Sequence, residues 1–378
     1  MDIAAHRAHP EVSLDGHVKS RVVELGQSLA RRVAIYLDTK FWIILRDCAS
    51  GRNSDPAARE LLERLRKLVR DGKAFCPISD GTFFEFLKNG DPASRLEIAR
   101  VVDELSLGVA LLDHRMRLGT EISHFVHGVE GVGDLHPLHH LVWSKVAFAL
   151  GFVHPTNTGA DAETELAIQK AFFDRMWEMP LEEVMRTLGA HTPPGGLDFA
   201  VSDLNKGVSQ NADQIKSFAQ AYAAELAGTV ELGAGMAMDV MGDLFRKRTG
   251  GEPPEAGSPH WQTFWNQWAN LLFAALKKRP QMRQQLRTLH IHASLHAAFR
   301  WDKARRFTSN DLYDFEHASA ALAYCRAFLT EDGLHATISA RHVALDKLFL
   351  CRVASDLSGA IDVLKALEDD DSSSRTPE

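Results

Sequence analysis

Apolar residues recur along this chain with two periods, and the switches between them mark its organisation. From residue 15 to 30, Val18, Val22, Val23, Leu25 and Leu29 fall at helical spacing before the polar pair Arg31 and Arg32. The run Val33-Ala34-Ile35-Tyr36-Leu37 follows. It is short and continuously apolar, as in a fully buried parallel strand, and Asp38 then opens a second apolar segment that reads as a helix. Asp38 therefore falls at the strand's C-terminal edge. Between Pro56 and Arg70, Leu61, Leu62, Leu65, Leu68 and Val69 form one helical stripe, which Asp71-Gly72 ends. A short strand fits Ala74 to Pro77. The turn residues Ser79, Asp80 and Gly81 then lead into a TFFEFLK helix carrying Glu85, and a helix from about Ala93 to Leu107 completes a βαβα-like opening.

The middle, residues 120–300, reads as almost entirely helical, with loop signals at 128–133, 191–196 and 249–258 and no internal repeat. Trp261, Phe264, Trp265 and Trp268 recur at helical spacing, which predicts packing between helices rather than a base-stacking platform. After residue 307 the mixed character returns: a helix over 311–325, a strand at Ala327–Leu329, then a last strand and helix. The ending EDDDSSSRTPE is expected to be disordered. The pattern predicts an α/β fold, a parallel sheet flanked by helices and interrupted by a large all-helical insertion.

At 378 residues the chain can hold two or three domains, or one with a large insertion, and its 45% hydrophobic and 25% charged content is that of a globular protein. It has no uninterrupted apolar stretch of the ~18 residues a span needs, and its first residues lack the apolar core of a secretory signal. A cytoplasmic protein without membrane association is expected. Cys48, Cys76, Cys325 and Cys351 are scattered without paired spacing, so free buried thiols are expected rather than disulfides or a zinc knuckle. The net charge of −7 argues against nonspecific coating of nucleic acid but leaves room for local basic patches. One such excess runs from Lys277 to Arg306, where Arg300, Lys303, Arg305 and Arg306 lead into an acid-bearing helix; it reads either as phosphate contacts or as a solvated helix face. His292 and His296 sit four apart, and His136, His139 and His140 cluster. Neither group has a partner motif, and chance pairs are common among 18 histidines. No P-loop, dinucleotide fingerprint or nucleophile elbow is present.

The carboxylates carry the candidate chemistry. With Asn310 as N-cap, Asp311 is the first helical residue and Asp314 the fourth, on one helix face. Acids in a first turn can also simply complement the helix dipole, worth roughly 0.3–1 kcal/mol each. Asp332 follows the 327–329 strand through Thr330 and Glu331, as Asp38 follows its own strand. If the two strands are neighbours, Asp38, Asp314 and Asp332 converge on one crevice and Glu85 reaches in from its helix. Crowded carboxylates repel one another, and Mg²⁺ or Mn²⁺ is the cofactor suited to oxygen donors of this kind. Such a site can hydrolyse phosphodiesters.

The sequence LDTKFW at a first strand, Glu85 after a second, DFEHASAALAY with Asp314 and His317, and FLTED together resemble the PIN-domain family of metal-dependent ribonucleases. The resemblance spans residues 31–125 and 307–365. It implies a PIN-like domain in two parts, 31–125 and 307–368, with an N-terminal helical extension (1–30), a helical insertion (126–306) and a tail (369–378). It implies Mg²⁺- or Mn²⁺-dependent cleavage of RNA, with Asp38, Glu85, Asp314 and Asp332 as the catalytic acids and metal ligands and Thr330 at the family's hydroxyl position. His317 is expected to orient Asp314 or to pack. Asp311 is a second candidate for the third acid and a metal ligand, and Lys40 departs from the family by standing where many members carry a small or amide residue; Lys40, Arg300, Lys303, Arg305 and Arg306 are candidates for substrate contact. The resemblance alone favours RNA over DNA and admits a homodimer through the helical region, as well as an inhibitory or regulatory protein partner. The alternative is a binding or scaffold protein that keeps the fold without cleaving.

Overall fold

The computed structural model describes residues 2–131, 133, 135–191, 198–211, 215–303 and 305–373. The chain opens with α1 (Ile3–Arg7) and α2 (Leu14–Leu29), enters a sheet at β1 (Val33–Leu37) and leaves it through α3 (Thr39–Ala49) and α4 (Pro56–Arg70). Next come β2 (Ala74–Phe75), α5 (Asp80–Lys88), α6 (Pro92–Ser106) and β3 (Val109–Leu111). α7 (His114–Val129) leads into a mainly helical region with β4 (Trp143–Lys145), α8 (Ala162–Trp177), α9 (Leu181–Leu188), α10 (Asp198–Asn211), α11 (Phe218–Thr249), α12 (Pro259–Lys278) and α13 (Arg287–Trp301). The chain returns to the sheet through α14 (Ser309–Tyr324), β5 (Ala327–Leu329), α15 (Asp332–Ser339), α16 (Leu345–Phe349), β6 (Arg352–Ala354) and α17 (Leu357–Ser373). The protein is thus mostly helical around a small sheet.

That sheet has four strands in the order β2-β1-β5-β6, all parallel. Its pleat divides two cores. Ile35, Leu37, Ala327, Leu329 and Ala74 face one side, where α3, α4, α6 and α17 close over them; Ala34, Tyr36, Phe328 and Phe75 face the other, against α13 and α14. This is why β1 reads as continuously apolar: both of its faces are buried. The stripe on α4 behaves as its spacing predicts, with Leu61, Leu62, Leu65, Leu68 and Val69 buried behind an Asp55 N-cap and Pro56. A third core joins α7, α11, α12 and α13. It takes up Trp268 and, partly, Trp265, whereas Phe264 stays 46% exposed, so the aromatic stripe packs along only part of its width.

Several expectations need correction. The second strand ends at Phe75 rather than Pro77; Pro77 has no N–H to offer a ladder, and Cys76 already donates to the Leu105 carbonyl. The middle is not all helical, since β4 pairs antiparallel with β3, and a single parallel bridge from Ile78 to Ala110 brings β3 beside the β2 edge. α14 begins at Ser309, capped by Thr308 rather than Asn310. The expected disordered tail is helical through Ser373, and residues 374–378 lie outside the described residues, as does most of the loop expected at 191–196. The four cysteines are free. Among the described residues, no helix is long and apolar enough to cross a membrane.

Candidate functional site

The chain runs from β1 to β2 on one side and later adds β5 and β6 on the other, so strand order reverses between β1 and β5. Crevices open at the carboxyl ends of strands where such a reversal occurs. A cleft of about 440 Å³ lies there, lined by Asp38, Thr39, Lys40, Ile43, Ile44, Glu85, Asn310, Asp314, His317 and Glu331.

Each acid is positioned by the element that ends or begins at it. Asp38 leaves β1, caps α3, and is 5% exposed. Its Oδ1 accepts the Lys40 N–H at 2.8 Å and its Oδ2 accepts the Thr330 hydroxyl at 3.0 Å, while its own N–H donates to the Leu329 carbonyl of β5. The carboxylate is therefore fixed to both strands that frame the cleft. Glu85, on α5, receives the Thr39 hydroxyl and His317 Nε2 (2.9 Å) on Oε2. Burial pushes Glu85 up, but the bond and charge of His317 outweigh it, and the net displacement is downward.

His317 is held from below. Its Nδ1 lies 2.8 Å from the Tyr36 hydroxyl, which in turn meets Ser79 Oγ at 2.6 Å and Thr82 Oγ1 at 2.9 Å. Burial opposes the charged imidazolium, yet Tyr36, Glu85 and Asp38 raise His317 well above its ordinary value. As an imidazolium it donates from both nitrogens, to Glu85 and to Tyr36, and the tyrosine hydroxyl in turn donates its hydrogen bond to Ser79 or Thr82. Asp314, one turn earlier on α14, is pushed up to about 7: burial is the main cause, opposed by His317 and reinforced by Asp38, Glu331 and Asp311. Glu316 lies between these two in sequence but turns away, to an ion pair with His114 at 2.8 Å.

The structure thus brings together Asp38, Glu85, Asp314 and His317, with Thr330 supporting Asp38. It does not bring Asp332 to the cleft. Asp332 is the exposed first residue of α15, where it complements the helix dipole, and its neighbour Glu331 lines the cleft instead. Glu331 is the N-cap of α15 but makes no capping hydrogen bond, which leaves its carboxylate free for other partners. Asp311 is likewise drawn off into structure: it forms a capping box with Thr308 and pairs with Arg305 at 3.3 Å.

The basic candidates divide. Lys40 lines the cleft, its Nζ donating to the Ser355 carbonyl at 2.8 Å. Arg300 pairs with Glu225, and Arg305 stacks on Phe299 and bonds Thr337; neither they nor the exposed Lys303 and Arg306 line the cleft. His292 and His296 face each other at 3.2 Å, and burial lowers them to about 4 and about 3. They are neutral packing histidines.

One constellation escaped the sequence reading. Among the described residues, the trio whose ligand atoms all lie within 4.8 Å of one another is His6, His17 and Asp174, on α1, α2 and α8. No spacing motif links positions so far apart in the chain. The cleft acids are spread more widely than this trio. Compared with known proteins, the chain matches no family model, no curated protein and no solved structure.

Proposed function

We propose that the chain is a metal-dependent endoribonuclease of PIN type, hydrolysing RNA phosphodiesters at the cleft between β1 and β5. The observation that carries this reading is the gathering of Asp38, Asp314 and Glu331 at a strand-order reversal, with Asp314 pushed up to about 7 chiefly by burial and further by the neighbouring acids. A parallel sheet with helices on both faces supports the PIN-like arrangement, and the order of acids along the chain matches the family's, with Glu331 in place of Asp332 as the fourth.

The donor set fits a hard cation. Asp38, Asp314 and Glu331 offer carboxylate oxygens, and Glu85 offers Oε1, which has no hydrogen-bond partner among the described residues. Hard cations such as Mg²⁺ and Mn²⁺ take this set, and Mg²⁺ keeps several of its waters, which suits acids spread more widely than a direct-contact cage. Such an ion supplies positive charge against the phosphodiester and acidifies an attacking water. The chain's own residues do the rest. Thr330 and the Lys40 N–H fix the orientation of Asp38, His317 and Thr39 fix Glu85, and Lys40 and Asn310 line the approach available to a phosphate. In the absence of a cation, burial pushes Asp314 up to about 7, so its carboxylate would release a proton on taking up the ion.

The test is cleavage of labelled single-stranded RNA, structured RNA and DNA by the full chain with Mn²⁺, with Mg²⁺ and with EDTA, alongside Asp38→Asn. RNA cleavage that needs the metal and disappears in the variant is expected. Cleavage of DNA alone would reassign the substrate. No cleavage, together with no change in thermal stability on adding Mn²⁺, would favour a scaffold that has lost the chemistry.

A further inference from the structure

α1 is a five-residue helix with no buried residue, yet it lies docked against α8. Helices this short do not hold themselves together, because nucleation costs more than one or two hydrogen bonds return. Apolar burial does not supply the difference here. The ties to α8 and its surroundings are polar: Arg7 donates to the Thr164 hydroxyl at 2.9 Å, and the buried Lys170 ammonium donates to the His9 carbonyl at 2.8 Å. The third tie is His6 to Asp174.

That third tie is shared. His6 Nε2 lies 2.9 Å from Asp174 Oδ2, and His17 Nε2, from α2, lies 2.9 Å from Oδ1 of the same carboxylate. The two imidazoles meet edge to face at 5.1 Å, and His17 also packs its ring against the buried Phe173. The donor atoms of all three side chains fall within 4.8 Å of one another, while the histidine side chains are 17% exposed and that of Asp174 is 36% exposed. Two imidazoles and one carboxylate with an opening to water is the donor set of a four-coordinate zinc-class ion, with water in the remaining position. Imidazole donors select against Mg²⁺, so this set differs in chemistry from the carboxylate donors of the cleft. Arg21 approaches Asp174 at 3.8 Å, but its charge is shared with Glu24 at 3.4 Å and Glu178 at 3.3 Å, which moderates its repulsion of a cation.

We propose that His6, His17 and Asp174 form a binding site for Zn²⁺ or a similar imidazole-preferring divalent ion, which fastens the N-terminal helix to α2 and α8. The site is independent of the nuclease reading.

The experiment is calorimetric titration of Zn²⁺ into the full chain, freed of metal and kept in excess Mg²⁺, with His17→Ala, His6→Gln and Asp38→Asn in parallel. One equivalent is expected, with affinity falling at least ~10-fold in both histidine variants and unchanged in Asp38→Asn. Amide exchange over residues 3–8 should slow on adding Zn²⁺ in the wild type and not in His6→Gln. His6 sits on a helix with no buried residue, so His6→Gln decides the matter even if His17→Ala fails to fold. No binding by the wild type, binding of equal strength in both histidine variants, or loss of the equivalent in Asp38→Asn would each overturn the proposal.

Discussion

Asp314→Asn separates the cost of crowding carboxylates from what the crowding achieves. Burial, with Asp38, Glu331 and Asp311 nearby and only His317 opposing, moves Asp314 from 3.8 to about 7. At about 1.4 kcal/mol for each tenfold change in proton affinity, ionising this side chain in the folded state costs at most about 4 kcal/mol; it is an upper bound because the group keeps some contact with solvent. The sign follows from linkage. A folded-state value raised above the unfolded one means that stability is fully present below about pH 4 and is lost as pH rises toward 7, after which the loss is complete. Asparagine carries no charge at any pH and escapes this loss. The variant's stability relative to wild type should therefore grow between pH 5 and pH 8 by up to about 3 kcal/mol. Urea unfolding in EDTA at the two pH values, followed by tryptophan fluorescence, reads this difference as a shift in midpoint. A cation should offset most of this difference: Mg²⁺ at about 100 times its dissociation constant would stabilise the wild type by about 2.7 kcal/mol and the variant by much less. An offset between variant and wild type that is the same at pH 5 and pH 8 would refute the reasoning, since it would mean that Asp314 ionises normally.

Two further pairs of substitutions test the placement of neighbouring residues. Glu331→Gln should weaken Mn²⁺ binding, read by thermal shift, by about tenfold or more, whereas Asp332→Asn should leave it unchanged and remove only the ~0.3–1 kcal/mol of a first-turn acid; equal effects would put the acids back in the order read from the sequence. Gly26→Ala should lower the melting temperature, because a Cβ there would lie 2.1 Å from the His140 carbonyl oxygen, and overpacking of this kind costs about 1–3 kcal/mol. Gly228→Ala, in the interior of α11 with nothing within 4 Å of the added carbon, should raise it, since alanine gains ~1 kcal/mol of stability over glycine in a helix interior.

What the sequence carried well was the hydrophobic pattern. β1, α4 and β5 have the boundaries their apolar runs imply, because a strand buried on both faces and a helix buried along one stripe each leave a distinct period. Asp38 and Asp314 could be found because they stand where that pattern breaks. The errors lie where one residue of offset changes the answer. Whether Glu331 or Asp332 enters the cleft depends on which becomes the cap of α15, and both are acids beside Thr330. Asp311 could not be told from a ligand until Thr308 proved to be the cap that it bonds. β3 and β4 are three residues each and stabilised by their partners, so they leave too short a period to read. The chain of hydroxyls beneath the site was invisible for a different reason: Tyr36 reads as one more apolar strand residue, and only its partners show that its hydroxyl is used.

That hydroxyl bears on how the cleft works. Tyr36 on β1 and Asp38, just beyond its end in extended conformation, are two apart and so project to the same face, one beneath the site and one into it. Tyr36 acts through His317, which as an imidazolium neutralises Glu85 inside the protein. Of the four cleft acids, Glu85 thus has a buried counter-charge, so that on the proposed function a cation would be held chiefly by Asp38, Asp314 and Glu331. Asp38 is committed at both oxygens to the Lys40 N–H and the Thr330 hydroxyl, which hold it in place. Asp314, pushed up to about 7 chiefly by burial, takes up a proton near neutral pH when no cation is present. On the proposed function a divalent ion would exchange that proton for a metal, and the repulsion among the cleft carboxylates would become the source of its affinity.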